Sequence, residues 1–195
     1  MNILIDNLPE HIMIDDIPCP VNTDFRVWIK FALMFEDTKQ DRYQFITKVL
    51  NLCLKKGSGQ KLPALDKLLD AVYEFYAMKQ PKPTQGRKQD ENKKAVFSFE
   101  YDAEYIYTAF YSQYGIDLNT ANMHWWKFKT LFQGLTGEHQ YCKIIEYRTI
   151  KLSEIKDKKQ REQISKMKRL YALPDNRTEE QKERDFQTSF IDAFI

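Results

Sequence analysis

Cysteine and histidine are scarce in this chain, three of each in 195 residues. Cys19, Cys53 and Cys142 form an odd, widely spaced set, which argues against a disulfide framework or a pairwise zinc motif. They read as free thiols in a reducing compartment. His11, His124 and His139 lie too far apart to encode a metal centre, and no HExxH or CxxC element accompanies them. An excess of one charge is missing too: 30 basic against 28 acidic residues leave +2, which gives no general field for binding nucleic acid. No apolar run nears the roughly 20 residues of a membrane-spanning helix, and no basic segment followed by an apolar core opens the chain. The expectation is a cytoplasmic protein without a membrane partner.

What the chain does have is material for a core. Hydrophobic residues make up 43% and aromatic residues 14%, enough for one sizeable folded domain with appendages. Ile12 and Ile14 share one parity, and Ile17, Cys19 and Val21 another, with Asp15-Asp16 between them. That alternation predicts a β-hairpin turning at the two aspartates. Pro18 and Pro20 restrict the second strand to an edge, and so small a hairpin must lie on another element.

Helical spacing takes over after Asn22-Thr23-Asp24, three residues able to cap a helix start. Phe25, Trp28, Ile29, Ala32 and Leu33 share a face of a helix ending near Asp37. Residues 41–54 supply a second helix, Gly57-Ser58-Gly59 a turn, and Pro63 the first turn of a third helix carrying Leu65, Leu68, Leu69, Val72, Phe75 and Tyr76. Residues 80–95 are polar and hold five basic against two acidic side chains, which predicts a basic flexible loop. Val96-Phe97-Ser98-Phe99 reads as a strand or an extended entry to the next helix. Asp102 is placed to cap that helix, whose residues Tyr105, Ile106, Ala109, Phe110 and Tyr114 repeat at three and four, and Gly115 should end it. Tyr107 and Tyr111 make a neighbouring stripe.

The next helix is predicted from Asn119 or Thr120 through His124-Trp125-Trp126 to Gly134, followed by a short one from Glu138 toward Tyr147. Adjacent helix residues point about 100° apart, so the two tryptophans cannot share one stripe. Trp125 belongs with Phe128 and Phe132 in the core, and Trp126 is expected nearer a groove. A charged helix capped by Ser153 should reach Leu170. Thr178 with Gln181 resembles a capping box for a last helix carrying Phe186, Phe190, Ile191, Phe194 and Ile195.

Reactive side chains do not assemble into a recognised catalytic motif. Gly57-Ser58-Gly59-Gln60-Lys61 lacks the spacing of a nucleotide phosphate loop and the strand before it. Asp15-Asp16 fit a turn, Asp41 a helix entrance and Glu179-Glu180 the positive end of a helix dipole. The expectation is a protein that is not an enzyme and carries no metal or cofactor.

Three segments carry a resemblance: Asn22-Thr23-Asp24-Phe25-Arg26-Val27-Trp28; Phe97-Ser98-Phe99-Glu100-Tyr101-Asp102-Ala103-Glu104-Tyr105-Ile106-Tyr107; and His124-Trp125-Trp126-Lys127-Phe128 with Leu131-Phe132 and Gly134-Leu135. With Tyr147-Arg148-Thr149-Ile150, they follow one another in the order seen in the bacteriophage Gp15 family, which the chain resembles over most of residues 12–150. That resemblance implies a protein of phage and prophage tail-gene regions, a noncatalytic tail-assembly factor that chaperones the tape-measure protein in the host cytoplasm and is absent from the mature virion.

The expected fold is mainly α: a hairpin appendage over residues 1–21, a compact helical core over 22–150 with the basic loop at 80–95, and a charged helix plus C-terminal amphipathic helix over 151–195. Candidate protein-binding residues are Tyr107, Tyr111, Trp126, Phe186, Phe190 and Phe194. The partner is a tape-measure or other tail protein, with self-association through the C-terminal helix as a further expectation. Two alternatives are a structural tail component and a nucleic-acid-binding adaptor using Arg87-Lys88, Lys93-Lys94, Lys158-Lys159 and Arg161. The near-neutral charge argues against the adaptor.

Overall fold

Two consecutive aspartates at positive φ, Asp15 at 48° and Asp16 at 63°, turn the chain back on itself between β1 (His11–Ile14) and β2 (Ile17–Pro20). A pair of left-handed residues gives a two-residue turn whose twist matches that of the strands. Its register pairs Ile12 with Cys19 and Ile14 with Ile17, so the hairpin follows the sequence pattern. The computed structural model describes residues 2–34, 42–55, 64–78 and 96–174 and is otherwise mainly helical. Its helices are α1 (Phe25–Met34), α2 (Arg42–Cys53), α3 (Leu65–Ala77), α4 (Ala103–Tyr114), α5 (Trp125–Gln133), α6 (Gln140–Thr149) and α7 (Lys158–Leu170), with a 3-10 turn at Leu152–Glu154. Several expectations lie outside the described residues: the first helix end near Asp37, the Gly57-Ser58-Gly59 turn, the Pro63 start, the 80–95 loop, and the C-terminal helix with Phe186, Phe190 and Phe194.

The chain falls into two compact units, one comprising Met1–Thr84 with Ala103–Thr136, the other Gln85–Asp102 with Gly137–Ile195. In the first unit, Ile12 and Ile14 are buried where β1 meets α3, which gives the small hairpin its support. Asp24 caps α1 by accepting the Arg26 backbone N–H at 2.8 Å. The aromatic core then forms from rings distant in sequence: Phe128 of α5 stacks on Phe25 of α1 at 4.8 Å and on Phe110 of α4 at 5.0 Å. Trp125 and Phe132 extend that stack along α5, as their spacing predicts. Trp28 lies fully buried against Phe75 at 4.7 Å and donates its indole N–H to Asn22 C=O at 2.7 Å. Gly115, at φ +65°, closes α4 by donating its N–H to Tyr111 C=O.

Helix α5 begins later than the sequence suggests, at Trp125 rather than near Asn119. Asp117 causes the delay. Its carboxylate accepts Asn119 N–H and its carbonyl accepts from Ala121 N–H, holding this stretch as a turn that competes with helix.

The second unit is fastened by charge. Arg148 of α6 makes a two-pronged contact with the Asp102 carboxylate, at 2.6 and 2.8 Å, with side chains only 10% and 1% exposed. The same guanidinium donates to Tyr171 C=O at 2.6 Å and Val96 C=O at 3.2 Å, so it ties together segments before α6 and after α7. Ser98 N–H donates to Asp102 as well, at 3.0 Å, and the 96–102 segment runs extended into a turn without forming a strand. Lys168 Nζ reaches the Arg148 and Ile150 carbonyls at the end of α6. Ser153 does not cap α7 as expected. It lies in the 3-10 turn, and Asp157 takes the cap, accepting Gln160 N–H at 2.7 Å. The later start removes the gap between Ile155 and Ile164 that one long helix would have left.

Candidate functional site

The double tryptophan is explained by the end of another helix. The last turn of an α-helix leaves carbonyls short of i+4 donors, and at the end of α3 the Tyr76 carbonyl and the Phe75 carbonyl, which also takes the Met78 N–H at 3.1 Å, receive indole N–H groups. Trp126 Nε1 donates to Phe75 C=O at 2.8 Å and Trp125 Nε1 to Tyr76 C=O at 3.0 Å. Successive carbonyls of a helix point along its axis from positions about 100° apart around it, so two adjacent indoles can meet two adjacent acceptors. Lys129, one turn further along α5, donates to the same Tyr76 carbonyl at 3.0 Å with its ammonium 5.2 Å from the Tyr76 ring. A cation at this end also suits the helix dipole. Burial pulls the Lys129 ammonium below its usual value.

This arrangement corrects the expected place of Trp126. Its ring is 5% exposed and packs on Phe75 at 5.4 Å, so it lines no groove. The physical reason is that an indole N–H needs a partner when buried, and the α3 terminus provides one inside the unit. His124, which the helical spacing places inside the helix, is instead the cap of α5: Nδ1 accepts Trp126 N–H at 3.0 Å, and Nε2 lies 3.0 Å from Pro9 C=O. Nδ1 as an acceptor leaves the proton on Nε2, which donates to Pro9.

Tyr107 and Tyr111 do come together. Four residues apart on α4, their rings stack with centroids 6.4 Å apart and planes within 11°. Tyr107 is half-buried and donates its hydroxyl to Asp117 Oδ1 at 3.1 Å, whereas Tyr111 is 59% exposed. The inner ring is thereby held by a hydrogen bond and the outer ring rests on it, facing solvent. Beyond Asp117, Arg26 donates to the Leu118 and Asn119 carbonyls at 2.6 and 3.0 Å. Phe186, Phe190 and Phe194 lie outside the described residues.

Chemistry on side chains finds no assembled centre among the described residues: no group of three or more His, Cys, Asp or Glu is placed to hold a metal ion. Cys19 and Cys53 are buried, and burial pushes the Cys53 thiol up to about 12, leaving it protonated and unreactive near neutral pH. None of the described helices is long and apolar enough to cross a membrane. The arrangement fits an aromatic contact surface.

Comparison with known proteins decides the family. A family model described as "Bacteriophage Gp15 protein" matches residues 4–173, most of the chain. The chain belongs to the bacteriophage Gp15 protein family. No curated protein and no solved structure matches it. For this Gp15 family member, the segments that carried the resemblance turn out to hold the fold. Asp24 caps α1, Asp102 and Arg148 form the buried ion pair, and His124, Trp125 and Trp126 join α5 to the N-terminal segment and to α3. Among the quoted residues, Tyr107 also stacks on the exposed Tyr111 ring.

Proposed function

We propose that this Gp15 family protein is a noncatalytic phage tail-assembly protein that chaperones the tape-measure protein before tail polymerisation, acts in the host cytoplasm and leaves before the virion matures. Family membership supplies the phage setting, and the resemblance implies the tail-assembly role. The observation that carries the reading on this chain is the Tyr107–Tyr111 stack on α4. Tyrosine gives a large contact area with few rotors to freeze on binding, and Tyr107 is already held by Asp117. A tape-measure chain presents helices whose apolar stripes lack partners before assembly, and such stripes seek surfaces of this kind.

Co-expression with the tape-measure product, followed by pull-down, tests the proposal. The wild-type chain should keep that product soluble and co-purify with it. Tyr111→Ala should weaken capture at least several-fold while leaving circular dichroism and melting unchanged, because the removed ring is largely in solvent. Tail formation and a soluble tape-measure product in phage lacking this protein would overturn the chaperone reading. Recovery of the chain from purified virions would favour a structural tail component instead.

A further inference from the structure

Cations are missing from one stretch of a chain that is otherwise rich in them. Lys and Arg supply 30 of 195 residues, yet none falls between Val96 and Trp126, a stretch that holds Glu100, Asp102, Glu104 and Asp117. Helix α4 lies inside it. Its outer face therefore carries rings and a carboxylate with no positive charge among them: Glu104, Thr108 and Tyr111 are exposed, and the half-buried Tyr107 stacks on Tyr111. Spacings of three, four and seven set these residues along one line of the helix. Glu104 and Tyr111 stand about 10.5 Å apart along the axis, two turns on.

Neighbouring charges are already committed. Asp117 Oδ1 accepts the Tyr107 hydroxyl at 3.1 Å and Asn119 N–H at 2.9 Å. Arg26, the cation that reaches this turn, is paired with Asp24 at 3.2 Å and donates to the Leu118 and Asn119 carbonyls. Glu104 has no ion pair among the described residues. Tyr111 has its ring contact with Tyr107 on one side, and at 59% exposure its other side meets solvent.

We propose that this face of α4 takes the cationic stripe of a partner helix: two Arg or Lys residues seven positions apart, with an apolar residue between them. One cation lies over the Tyr111 ring, the other pairs with Glu104, and the apolar side chain packs on Tyr107 and Thr108. The inference rests on reading the tyrosine stack as the tape-measure surface, and it specifies what a helix of that protein must carry to fit. An aromatic face attracts a cation, and the carboxylate two turns away supplies the opposite charge for a second one. Other occupants meet a cost. A wholly aliphatic stripe strips water from Glu104 without giving it a partner, an acidic helix faces like charge, and a nucleic acid finds no Lys or Arg on α4 to neutralise its phosphates. Arginine fits best, because its planar guanidinium both stacks on a ring and bonds a carboxylate through two N–H groups.

Titration of the full chain with synthetic amphipathic helices tests it, read by the amide chemical shifts of α4. Three peptides share one leucine stripe and differ only at two positions, seven apart and flanking a leucine, which hold Arg, Gln or Glu. The Arg peptide should shift the Thr108 and Tyr111 amides and bind about tenfold more tightly than the Gln peptide, and added salt should narrow that gap. The Glu peptide should bind no better than the Gln peptide. Glu104→Gln should weaken the Arg peptide several-fold and leave the Gln peptide unchanged. Thr108→Lys, which sets an ammonium one turn from Glu104, should do the same without lowering the melting temperature, and serves if Glu104→Gln frays the start of α4. Equal affinities for the Arg and Gln peptides, or Arg binding indifferent to both substitutions, overturns the proposal. The chaperone reading fails separately, if the tape-measure product is not captured while the Arg peptide binds as stated. It stands without this inference if capture occurs and neither salt nor either substitution weakens it.

Discussion

The two units fasten distant segments to a helix by different chemistry. In the first, neutral donors do most of the work: two indoles meet the last carbonyls of α3, and a neutral imidazole joins the start of α5 to Pro9. In the second, one guanidinium satisfies a buried carboxylate and two main-chain carbonyls at once. Neutral groups lose modest hydration on burial, and aromatic rings stabilise the site by packing as well as by their N–H groups. A buried ion carries a desolvation cost of several kcal/mol that only its partners offset. The indole junction should therefore fail gradually as members are removed, while the ionic clasp should fail at once.

Arg148→Met gives the largest expected effect. It leaves Asp102 charged, 1% exposed and held only by its remaining hydrogen bonds, a loss of about 3–5 kcal/mol in urea unfolding. Hydrogen exchange should accelerate first in residues 137–171. Combining Arg148→Met with Asp102→Asn should recover part of the loss, since the stranded charge is gone. Trp126→Phe should cost less, about 1–2 kcal/mol, because the Phe75 carbonyl keeps the Met78 N–H at 3.1 Å and most of the ring volume remains. Equal costs for the two variants would break the contrast between neutral and ionic fastening.

Local pattern made the hairpin and most helices legible in the sequence, because burial parity, capping residues and glycine act within a few positions. The Asp15-Asp16 turn, the Asp24 cap and the Gly115 stop needed nothing distant. What stayed hidden is what local rules omit. Trp126 pairs with a carbonyl 51 residues away and Arg148 with a carboxylate 46 residues away, and no periodicity relates them. The late start of α5 was partly readable, since Asp117 followed two residues later by Asn119 is a turn signal that outranked helical spacing. In the candidate surface, the i, i+4 spacing placed Tyr107 beside Tyr111, but exposure was not encoded: Trp126 has the same aromatic character and is buried. The residues that carried the family resemblance mark how each unit is held together internally.

The smallest expected effect, His124, sharpens the comparison because charging it would turn a neutral junction into an ionic one. Phe75 and Trp126 rings lie beside the imidazole, Asp24 bridges its backbone and Glu10 is the nearby acid. Burial holds its pKa below the usual 6.5, outweighing the Pro9 carbonyl and Glu10, which both act to raise it. The unfolded chain therefore takes up the proton at higher pH than the folded chain. Stability from this group is complete above about pH 6.5, declines as acidification carries the pH from there toward the depressed folded value, and is flat below it. Protonation has a geometric cost as well, because a proton on Nδ1 removes the acceptor for Trp126 N–H and with it the cap of α5. In His124→Asn the amide oxygen can still accept that N–H, so the cap survives without the titration. Melting temperatures measured from pH 7.5 to 5.5 should fall more steeply for the wild-type chain than for this variant, and nitrogen chemical shifts should report the Nε2–H tautomer at neutral pH. Parallel melting curves for the two proteins would mean that the imidazole stays neutral without cost, leaving the His124 junction a neutral one across this pH range.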